Sequence, residues 1–417
     1  MKKSRIGILH YSAPPIIGGV EAVIHAQAKI LLRNGFEVTV IAGRGDQSAL
    51  PAECISNFLP ILDSQHNEIL QASQVLEQGK IPQNFSALTN KIQALLEPLL
   101  QNIDHLIVHN VFSKHFNLPL TAALFQLIKA GKAPHIIAWT HDLTWTSPNS
   151  RSKVHHGYPW DLLRQFQKEI AYVVVSEKRQ EELCKLLDIS RELVHVVHNG
   201  VEPYNLLGIS TKGEELIEKL GLLNSDLNIL MPVRITQAKN VEYALQVLKA
   251  LQDHFQNPHL VLTGPPDPHS HSNMAYFQSL KHQRRALGLE KNMAFIYECG
   301  PDPQKPYFID DQIVGDLFRI SDVIFMPSHR EGFGMPILEA GLAGIPVLCS
   351  YIPAAVEIGK ADVVQFDPDQ SPQETAAAMI QLIENNPLAR FRQRVRLNYT
   401  WQALFTQKIY PLLKEEP

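Results

Sequence analysis

Short apolar segments alternate with amphipathic helical segments along the whole chain. The apolar segments have the length of strands, whereas the intervening segments repeat apolar residues at helical spacing. The predicted strands are Ile6–Leu9, Phe36–Ala42, His105–Val108, Ile136–Trp139, Val173–Val175, Val194–Val197, Asn228–Val233, His259–Thr263, Ala294–Tyr297, Val323–Met326 and Ile345–Cys349. Strands that alternate with helices in this way predict an α/β fold with parallel sheets.

The first strand is followed by a loop with Gly18 and Gly19 and then by a predicted helix, Val20–Arg33. This opening is Rossmann-like, but the loop lacks the G-x-G-x-x-G pattern, so a dinucleotide fingerprint is absent. A later predicted helix, Phe85–Leu100, contains Pro98, which we expect to bend or end it.

The stretch from residue 323 to residue 350 predicts a strand, a glycine-bearing loop, a short helix and a second strand. Pro336 favours a helix start, and Gly344 favours its end. Gly332 and Gly334 precede the helix and would let a ligand approach the backbone. Because free amides at a helix start attract anions, we expect this loop to hold a phosphate.

Two carboxylates, Glu331 and Glu339, flank this predicted phosphate site. Carboxylates repel phosphate but accept hydrogen bonds from hydroxyl groups, so we expect them to bind hydroxyls. A ligand with phosphates in its middle and hydroxyls at both ends is a nucleotide-sugar. The alternative is an ordinary βαβ unit in which acidic residues merely favour a helix N-terminus.

Arg234 and Lys239 lie in the loop before a second predicted helix, Val241–Phe255. Asn240 is expected to cap this helix at its N-terminus. The two cations therefore surround a helix start at the carboxyl edge of a sheet, an arrangement that predicts a diphosphate clamp.

Polar residues also follow two predicted strands in the first half of the chain. His109 follows one, and His141 and Asp142 follow the next. Parallel strands present their carboxyl ends at one edge, where open α/β sheets bind ligands, so we expect His141 in an active site. The alternative is a histidine that only caps a strand.

The aromatic segment from Asp142 to Trp160 includes Trp145 and Tyr158, whose rings could bind sugar faces. We therefore predict that His109, Asp142, Trp145 and Tyr158 lie on the acceptor side. Adjacent histidines in this segment could also indicate a metal site. No further ligand accompanies them at suitable spacing, so we predict no metal site.

The composition and charge of the chain exclude several classes of function. The chain has 417 residues, enough for two or three domains, and a net charge of −4, which gives no electrostatic footprint for nucleic acid. Its four cysteines are not spaced as in metal sites or disulfide frameworks. No apolar run is long enough to indicate a membrane span, and no segment resembles a signal peptide. We expect a cytoplasmic protein without a transmembrane segment.

The stretch from Glu331 to Glu339 resembles the E-x7-E signature of the retaining family-four glycosyltransferases. By this resemblance Glu331 lies beside the transferred sugar, Glu339 binds the ribose, and Phe333, Gly334 and Met335 supply amides. Leu338 is placed among the donor-binding residues by the same resemblance.

Three other parts of the sequence resemble the same family. Gly18 and Gly19 resemble the family's loop that faces sugar and acceptor, and Arg234 with Lys239 resembles its diphosphate-binding pair, although Ala238 replaces a basic residue common in relatives. His141 matches a histidine that many relatives place near the donor sugar. The resemblance therefore implies catalytic roles for Glu331, His141, Arg234 and Lys239.

The resemblance implies a GT-B fold, in which two Rossmann-like domains with parallel sheets face a central cleft. We expect an acceptor-side domain at 1–203, a nucleotide-sugar domain at 204–398 and a C-terminal helix at 399–417 that crosses back to the first domain.

The resemblance also implies retaining transfer of a hexose, glucose or mannose, from a UDP- or GDP-sugar to a hydroxyl of a small soluble acceptor. No metal or other cofactor is expected, and peripheral membrane contact or a homo-oligomer stays open. The alternatives are a phosphorylase, hydrolase or epimerase of the same fold, or a catalytically silent nucleotide-sugar-binding scaffold.

Overall fold

The computed structural model of the protein describes residues 4–267, 271–302 and 304–414. The chain divides into two compact units. The first contains the described residues up to Gly200 and those from Leu404 onward, and the second spans Val201–Ala403.

The first unit is built on one fully parallel sheet of seven strands. These are β1 (Arg5–Ser12), β2 (Glu37–Arg44), β3 (Ile55–Phe58), β4 (His105–His109), β5 (His135–Thr140), β6 (Ile170–Val174) and β7 (Val194–Val196). The helices are α1 (Gly19–Arg33), α2 (Asn67–Glu77), α3 (Phe85–Leu100), α4 (Leu118–Lys129) and α5 (Glu177–Leu187). The strand order is β3-β2-β1-β4-β5-β6-β7, so the connections change direction between β1 and β4. Ligands of open α/β sheets bind at such a switch point, beyond the carboxyl ends of the strands.

The core of the first unit lies on both faces of this sheet. Leu9, Leu106 and Ala138 belong to the same buried cluster as residues of α3 and α4. Strands of parallel sheets are buried on both sides because their crossover helices cover both faces, which explains their nearly continuous apolar sequences.

The second unit is built on a parallel sheet of six strands in the order β10-β9-β8-β11-β12-β13. The strands are β8 (Leu227–Met231), β9 (Pro258–Leu262), β10 (Met293–Phe295), β11 (Val323–Met326), β12 (Val347–Ser350) and β13 (Val364–Phe366). The helices are α6 (Pro203–Leu207), α7 (Thr211–Leu220), α8 (Val241–Leu251), α9 (His271–Ala286), α10 (Asp311–Ile320), α11 (Met335–Ala343), α12 (Pro353–Gly359), α13 (Pro372–Asn385) and α14 (Pro387–Asn398). The switch point of this sheet lies between β8 and β11, and their carboxyl ends are therefore neighbours.

A buried ion pair ties α14 to the sheet of the second unit. Both guanidinium nitrogens of Arg396 contact the Asp322 carboxylate, at 2.7 and 2.6 Å, and Arg396 also donates to the Ser225 carbonyl. The side chains of this pair are 6% and 2% exposed, so each charge depends on the other.

The C-terminal segment is a helix that changes its hydrogen-bond pattern along its length. It consists of α15 (Trp401–Leu404), a π-helical turn (Phe405–Ile409) and α16 (Tyr410–Leu412). Thr400 Oγ1 accepts the amide of Ala403 at 3.2 Å, which is the cap its sequence position indicates. The Phe405 ring lies 6.1 Å from the Phe36 ring, within the first unit.

Every predicted strand overlaps an observed one, and two observed strands were not predicted. These are β3 and β13, each of which lies at one of the two edges of its sheet. Edge strands are short and partly exposed, so their apolar pattern is weak; Ile55 and Val364 are both exposed. Of the two effects expected of Pro98, a bend or an end of α3, the second is wrong, because the helix continues to Leu100. In the described ranges no helix combines the length and the apolar character that crossing a bilayer requires.

Candidate functional site

Two loops of the second unit meet at the carboxyl ends of β8 and β11. The His329 amide donates to the Ala238 carbonyl at 2.9 Å, and Lys239 Nζ lies 2.6 Å from Glu331 Oε2. The loop of the predicted diphosphate clamp and the loop of the E-x7-E stretch are therefore one local structure. Strand order explains this, because β8 and β11 are adjacent although far apart in sequence.

Glu331 is the most enclosed carboxylate of these two loops. Its side chain is 8% exposed, and its second oxygen accepts a hydrogen bond from Ser328 Oγ at 2.6 Å. The Lys239 ammonium thus pairs with Glu331 in this structure rather than standing as an independent phosphate ligand. Arg234, by contrast, has an exposed side chain. A charge-assisted hydrogen bond in a partly buried place holds both partners in one geometry.

The backbone around α11 has the form that the sequence predicts. Gly334 precedes the helix with φ 95°, and Gly344 follows it with φ 69°, both in the left-handed region that favours glycine. Pro336 lies in the first turn, where its missing N–H costs nothing. The start of α11 therefore presents backbone amides next to Glu331.

The remaining predicted donor-binding residues lie on an open surface. Phe333, Met335, Leu338 and Glu339 are all exposed, whereas Gly334 is buried. Asn240 stands at the predicted N-cap of α8, but its side chain makes no capping hydrogen bond. It adopts φ 51° instead, a left-handed conformation that asparagine tolerates better than most residues. Asn240 therefore acts through its backbone, contrary to the side-chain cap we expected.

Three histidines of the first unit meet where β1, β4 and β5 end. His10 Nδ1 donates to the His109 carbonyl at 3.0 Å, and His109 Nδ1 lies 3.0 Å from His141 Nε2. His109 Nε2 in turn lies 3.0 Å from Gln27 Oε1 on α1. An amide oxygen only accepts, so His109 donates from Nε2 and accepts at Nδ1 from His141 Nε2–H. This series of hydrogen bonds leaves Nδ1 of His141 without a proton, so that Nδ1 can accept a hydrogen bond.

Burial keeps these histidines neutral. Desolvation, followed by the charge of His10, lowers the pKa of His141 to about 4, although Asp142 opposes the shift. Burial also lowers the pKa of His10 and holds that of His109 well below its ordinary value. His109 was predicted to face the acceptor, but it is fully buried and contacts His141 and Gln27 instead. Its polar ring is needed to complete that chain of hydrogen bonds.

Asn110 positions the predicted active-site residues after β5. Its Oδ1 accepts the amides of His141 at 2.9 Å and of Asp142 at 3.3 Å. The residue is buried and has φ 60°, so its backbone is left-handed as well. The end of β4 therefore sets the path of the chain beyond β5.

The glycine pair before α1 has two different environments. A Cβ on Gly18 would stand 2.1 Å from Glu21 Oε2, whereas one on Gly19 would meet no atom within 4 Å. Glu21 is buried and accepts a hydrogen bond from Ser12 Oγ at 2.6 Å. A side chain at position 18 would therefore have to displace the Glu21 carboxylate from its hydrogen bond with Ser12.

The predicted acceptor-side residues differ in how much of each side chain is exposed. Asp142 is half-exposed and forms an ion pair with Arg179 at 2.8 Å. Tyr158 is exposed, with its ring 5.8 Å from that of Phe85. Trp145 is buried, and two guanidinium groups lie 4.5 and 4.4 Å from its ring centre. Its ring therefore packs inside the first unit instead of facing an acceptor as we predicted.

Several residues of these sites had no role in the sequence analysis. Ser12 and Asn110 lie at or just after strand ends, which is a signal that could have selected them, whereas Glu21 lies in the first turn of α1. Gln27 is an ordinary helical residue whose contact with His109 spans 82 positions. Such a contact has no local sequence signal.

Comparisons with known proteins cover almost the whole chain. The model of the family described as Glycosyltransferase Family 4 matches residues 17–204, and that described as Glycosyl transferases group 1 matches residues 213–398. Each of the two matches falls on one sheet-bearing half of the chain.

The individual proteins that the chain resembles are each less than 30% identical to it. An uncharacterized glycosyltransferase of Methanocaldococcus jannaschii is 29% identical over 46% of this chain and 45% of its own length. The mannosylglucosylglycerate synthase of Petrotoga mobilis is 25% identical over 84% of this chain and 82% of its own length. The crystal structure of a Rickettsia africae glycosyltransferase aligns over 100% of both chains with 18% identity and a TM-score of 0.39. The chain thus spans about half of the first relative and most of the second.

The two parallel-sheet units and the two consecutive family matches agree with each other. The chain belongs to the family-four glycosyltransferases, which have the GT-B fold.

Proposed function

We propose that the protein is a retaining hexosyltransferase that moves glucose or mannose from a UDP- or GDP-sugar to a hydroxyl group of a small acceptor. The observation that carries this proposal is the contact between Lys239 and Glu331 beside the start of α11. It combines a cation, a carboxylate and free helix amides, which are the groups that a sugar diphosphate needs.

In this proposal the donor binds across the two loops of the second unit. Amides of Phe333, Gly334 and Met335 hold the diphosphate and sugar, Leu338 lines the donor site, and Glu339 accepts from the ribose hydroxyls. Arg234 is exposed beside them and neutralises the charge that develops on the departing diphosphate. Lys239, which pairs with Glu331, keeps a second cation in the same loops, so in this proposal fixed protein charges take the place of the metal ion that other transferases use.

The chemical step exchanges one C–O bond for another on the same face of the sugar. The bond from the anomeric carbon to the diphosphate breaks, and the bond to the acceptor oxygen forms. The acceptor proton passes to the departing phosphate oxygen. Glu331 lies beside the sugar and stabilises its developing positive charge, because Lys239 and Ser328 hold its carboxylate in place. The family resemblance assigns His141 to a sugar hydroxyl.

The small acceptor is supported by one relative. The Petrotoga protein is named as a synthase of mannosylglucosylglycerate, whose name contains two hexoses and a glycerate. A small polyol acceptor is therefore the form of the proposal that we favour over a polymer.

The proposal is tested with a panel of UDP- and GDP-sugars in the presence of EDTA. We expect one nucleotide-sugar to bind, and Glu339→Gln to weaken its binding at least tenfold, because a charge-assisted hydrogen bond to ribose contributes about 1.5–3 kcal/mol. Glu290→Gln is the control, since Glu290 is an exposed residue of the same unit whose carboxylate contacts Arg285.

Product analysis separates the proposal from its alternatives. Release of nucleotide with a matching new glycoside, α-linked when the donor is an α-linked sugar, supports retaining transfer. Release of free sugar with every acceptor indicates a hydrolase, and tight donor binding without turnover indicates a scaffold. An absolute requirement for added metal would contradict the roles given to Arg234 and Lys239.

A further inference from the structure

Gln27 is a buried glutamine of which only the side-chain oxygen has a partner. It lies on α1 and is 1% exposed, and its Oε1 accepts a hydrogen bond from His109 Nε2 at 3.0 Å. Its Nε2 is enclosed and has no hydrogen-bond partner in the described ranges of the chain. An enclosed amide group without a partner lowers the stability of a fold, and an apolar side chain of the same length would avoid that loss. The contact with His109 is therefore what distinguishes glutamine from an apolar residue at this position.

The ring of His109 is held in one orientation. It is fully buried, and its centre lies 5.9 Å from the ring of Trp139 and 5.2 Å from the stacked ring of His141. His10 Nδ1 donates to the carbonyl of His109, which holds the backbone at the end of β4. Turning the ring over would put a carbon in place of each nitrogen at the contacts with Gln27 and His141. His109 therefore keeps Nε2 towards Gln27 and Nδ1 towards His141.

This geometry decides which nitrogen of each ring carries a proton. A neutral imidazole has one N–H, so a contact at one nitrogen sets the role of the other. Because the Gln27 oxygen accepts from His109 Nε2, Nδ1 of His109 accepts from His141 Nε2–H. The same direction requires a neutral His109, since an imidazolium would donate from both nitrogens. Burial meets this requirement, because it holds the pKa of His109 well below its ordinary value.

The far end of this series of hydrogen bonds is open to a ligand. Among the residues that the structure describes, Nδ1 of His141 has no hydrogen-bond partner, and it is not one of the enclosed polar atoms. The His141 amide donates to Asn110 at 2.9 Å, so the backbone as well as the ring has a fixed position. His141 therefore presents an unprotonated nitrogen at the carboxyl end of β5, on the ligand-binding edge of the sheet.

We propose that Gln27 and His109 are positioning residues that fix His141 in the tautomer with its proton on Nε2, so that Nδ1 accepts a hydrogen bond from a hydroxyl group of the sugar. This inference rests on the proposed function, because it concerns the sugar hydroxyl assigned to His141. A hydroxyl group can donate to this nitrogen, whereas a carboxylate, which only accepts, cannot. The tautomer of His141 thus selects a neutral, hydroxyl-bearing group at this place.

The first measurement determines the tautomer in the full-length wild type without ligand. Long-range ¹H–¹⁵N correlation spectra of protein labelled with ¹⁵N-histidine distinguish a protonated ring nitrogen from an unprotonated one. The ring of His141 is identified as the one that is lost in His141→Gln. We expect its proton on Nε2 and none on Nδ1. A proton on Nδ1, or a positively charged ring at neutral pH, would overturn the proposal.

A second set of spectra tests whether Gln27 sets this tautomer. Gln27→Met removes the accepting oxygen and keeps a side chain of similar length. Gln126→Met is the matched control, because Gln126 is an exposed glutamine of α4 in the same unit. We expect His141 to populate both tautomers in Gln27→Met and only the wild-type tautomer in the control. An unchanged tautomer in Gln27→Met would show that Gln27 does not set it; if this variant does not fold, the wild-type spectra can still refute the proposal.

A kinetic measurement separates a positioning role from a purely structural one. Release of UDP or GDP from the donor found with the nucleotide-sugar panel is compared in the wild type, Gln27→Met and Gln126→Met. The kcat/KM of Gln27→Met should fall in proportion to the fraction of molecules that keep the wild-type tautomer, which is about twofold when both tautomers are equally populated. Full activity with a mixed tautomer would overturn the role given to Nδ1. Absence of turnover in the wild type would refute the proposed function, while the spectra still decide the tautomer.

Discussion

Asn110 connects the fold to the candidate site, and its replacement tests that connection. The residue has φ 60° and its buried side chain accepts the amides of His141 and Asp142. Asn110→Gly removes the acceptor but suits the left-handed backbone. Asn110→Ala removes the acceptor and adds strain. The two variants therefore separate the hydrogen bonds from the backbone conformation.

The expected magnitudes follow from these contacts. Asp142 is exposed, so water can replace the acceptor of its amide, whereas His141 is largely desolvated and its amide loses a partner. Leaving that amide without a partner costs about 1–3 kcal/mol, so we expect Asn110→Gly to lower the free energy of unfolding by about 2 kcal/mol. Asn110→Ala should cost about 1 kcal/mol more, because a left-handed conformation is unfavourable for a residue with a Cβ.

Urea unfolding followed by tryptophan fluorescence measures these changes in the first unit. Three of the four tryptophans, at positions 139, 145 and 160, belong to that unit. Asp188 provides the control: it also has a left-handed backbone, at φ 54°, but its side chain is exposed. We expect Asp188→Gly to be neutral or stabilising.

Two outcomes would refute this reasoning. If Asn110→Gly were as stable as the wild type, the amide contacts would not hold the end of β5. If Asn110→Ala were no less stable than Asn110→Gly, the left-handed strain would be absent. We also expect both variants to lower turnover of the donor identified by the panel, because His141 would lose its position.

Three further predictions concern other parts of the molecule. The pKa of His141 falls from about 6.5 in the unfolded chain to about 4 in the folded protein. Acidification from pH 6.5 to pH 4 should therefore remove about 3 kcal/mol of the free energy of unfolding. In His141→Gln, the Tm should fall less steeply over the same pH range than in the wild type. Gly18→Ala places a methyl group 2.1 Å from a Glu21 oxygen and should destabilise the first unit, whereas Gly19→Ala meets no atom and should stabilise α1 by about 0.5–1 kcal/mol in urea unfolding. Arg396→Met leaves a buried carboxylate unpaired and should cost about 3–5 kcal/mol in the second unit, which the fluorescence of Trp401 reports.

Each of these predictions has a contradicting result. An equal pH dependence in wild type and His141→Gln would mean that His141 titrates normally in the fold. Equal stabilities of Gly18→Ala and Gly19→Ala would mean that the carboxylate beside Gly18 moves without cost. A loss below about 1 kcal/mol in Arg396→Met would place that ion pair among the weak, solvent-screened ones.

Local patterns in the sequence determined the central strands of both sheets and the bounds of α11. Apolar runs of strand length predicted the central strands of both sheets, because such strands are buried on both faces. Pro336 and Gly344 predicted the bounds of α11, because each conformational preference acts within a few residues. These features need no knowledge of the rest of the chain.

The tertiary structure decided which distant side chains meet. Lys239 reaches Glu331 across 92 positions because β8 and β11 are neighbours. Gln27 reaches His109 across 82 positions because α1 packs against β1, which is adjacent to β4. Strand order and packing set these distances, and no local preference encodes them. The same reason explains why Trp145, an apparent sugar-binding ring in the sequence, packs inside the first unit.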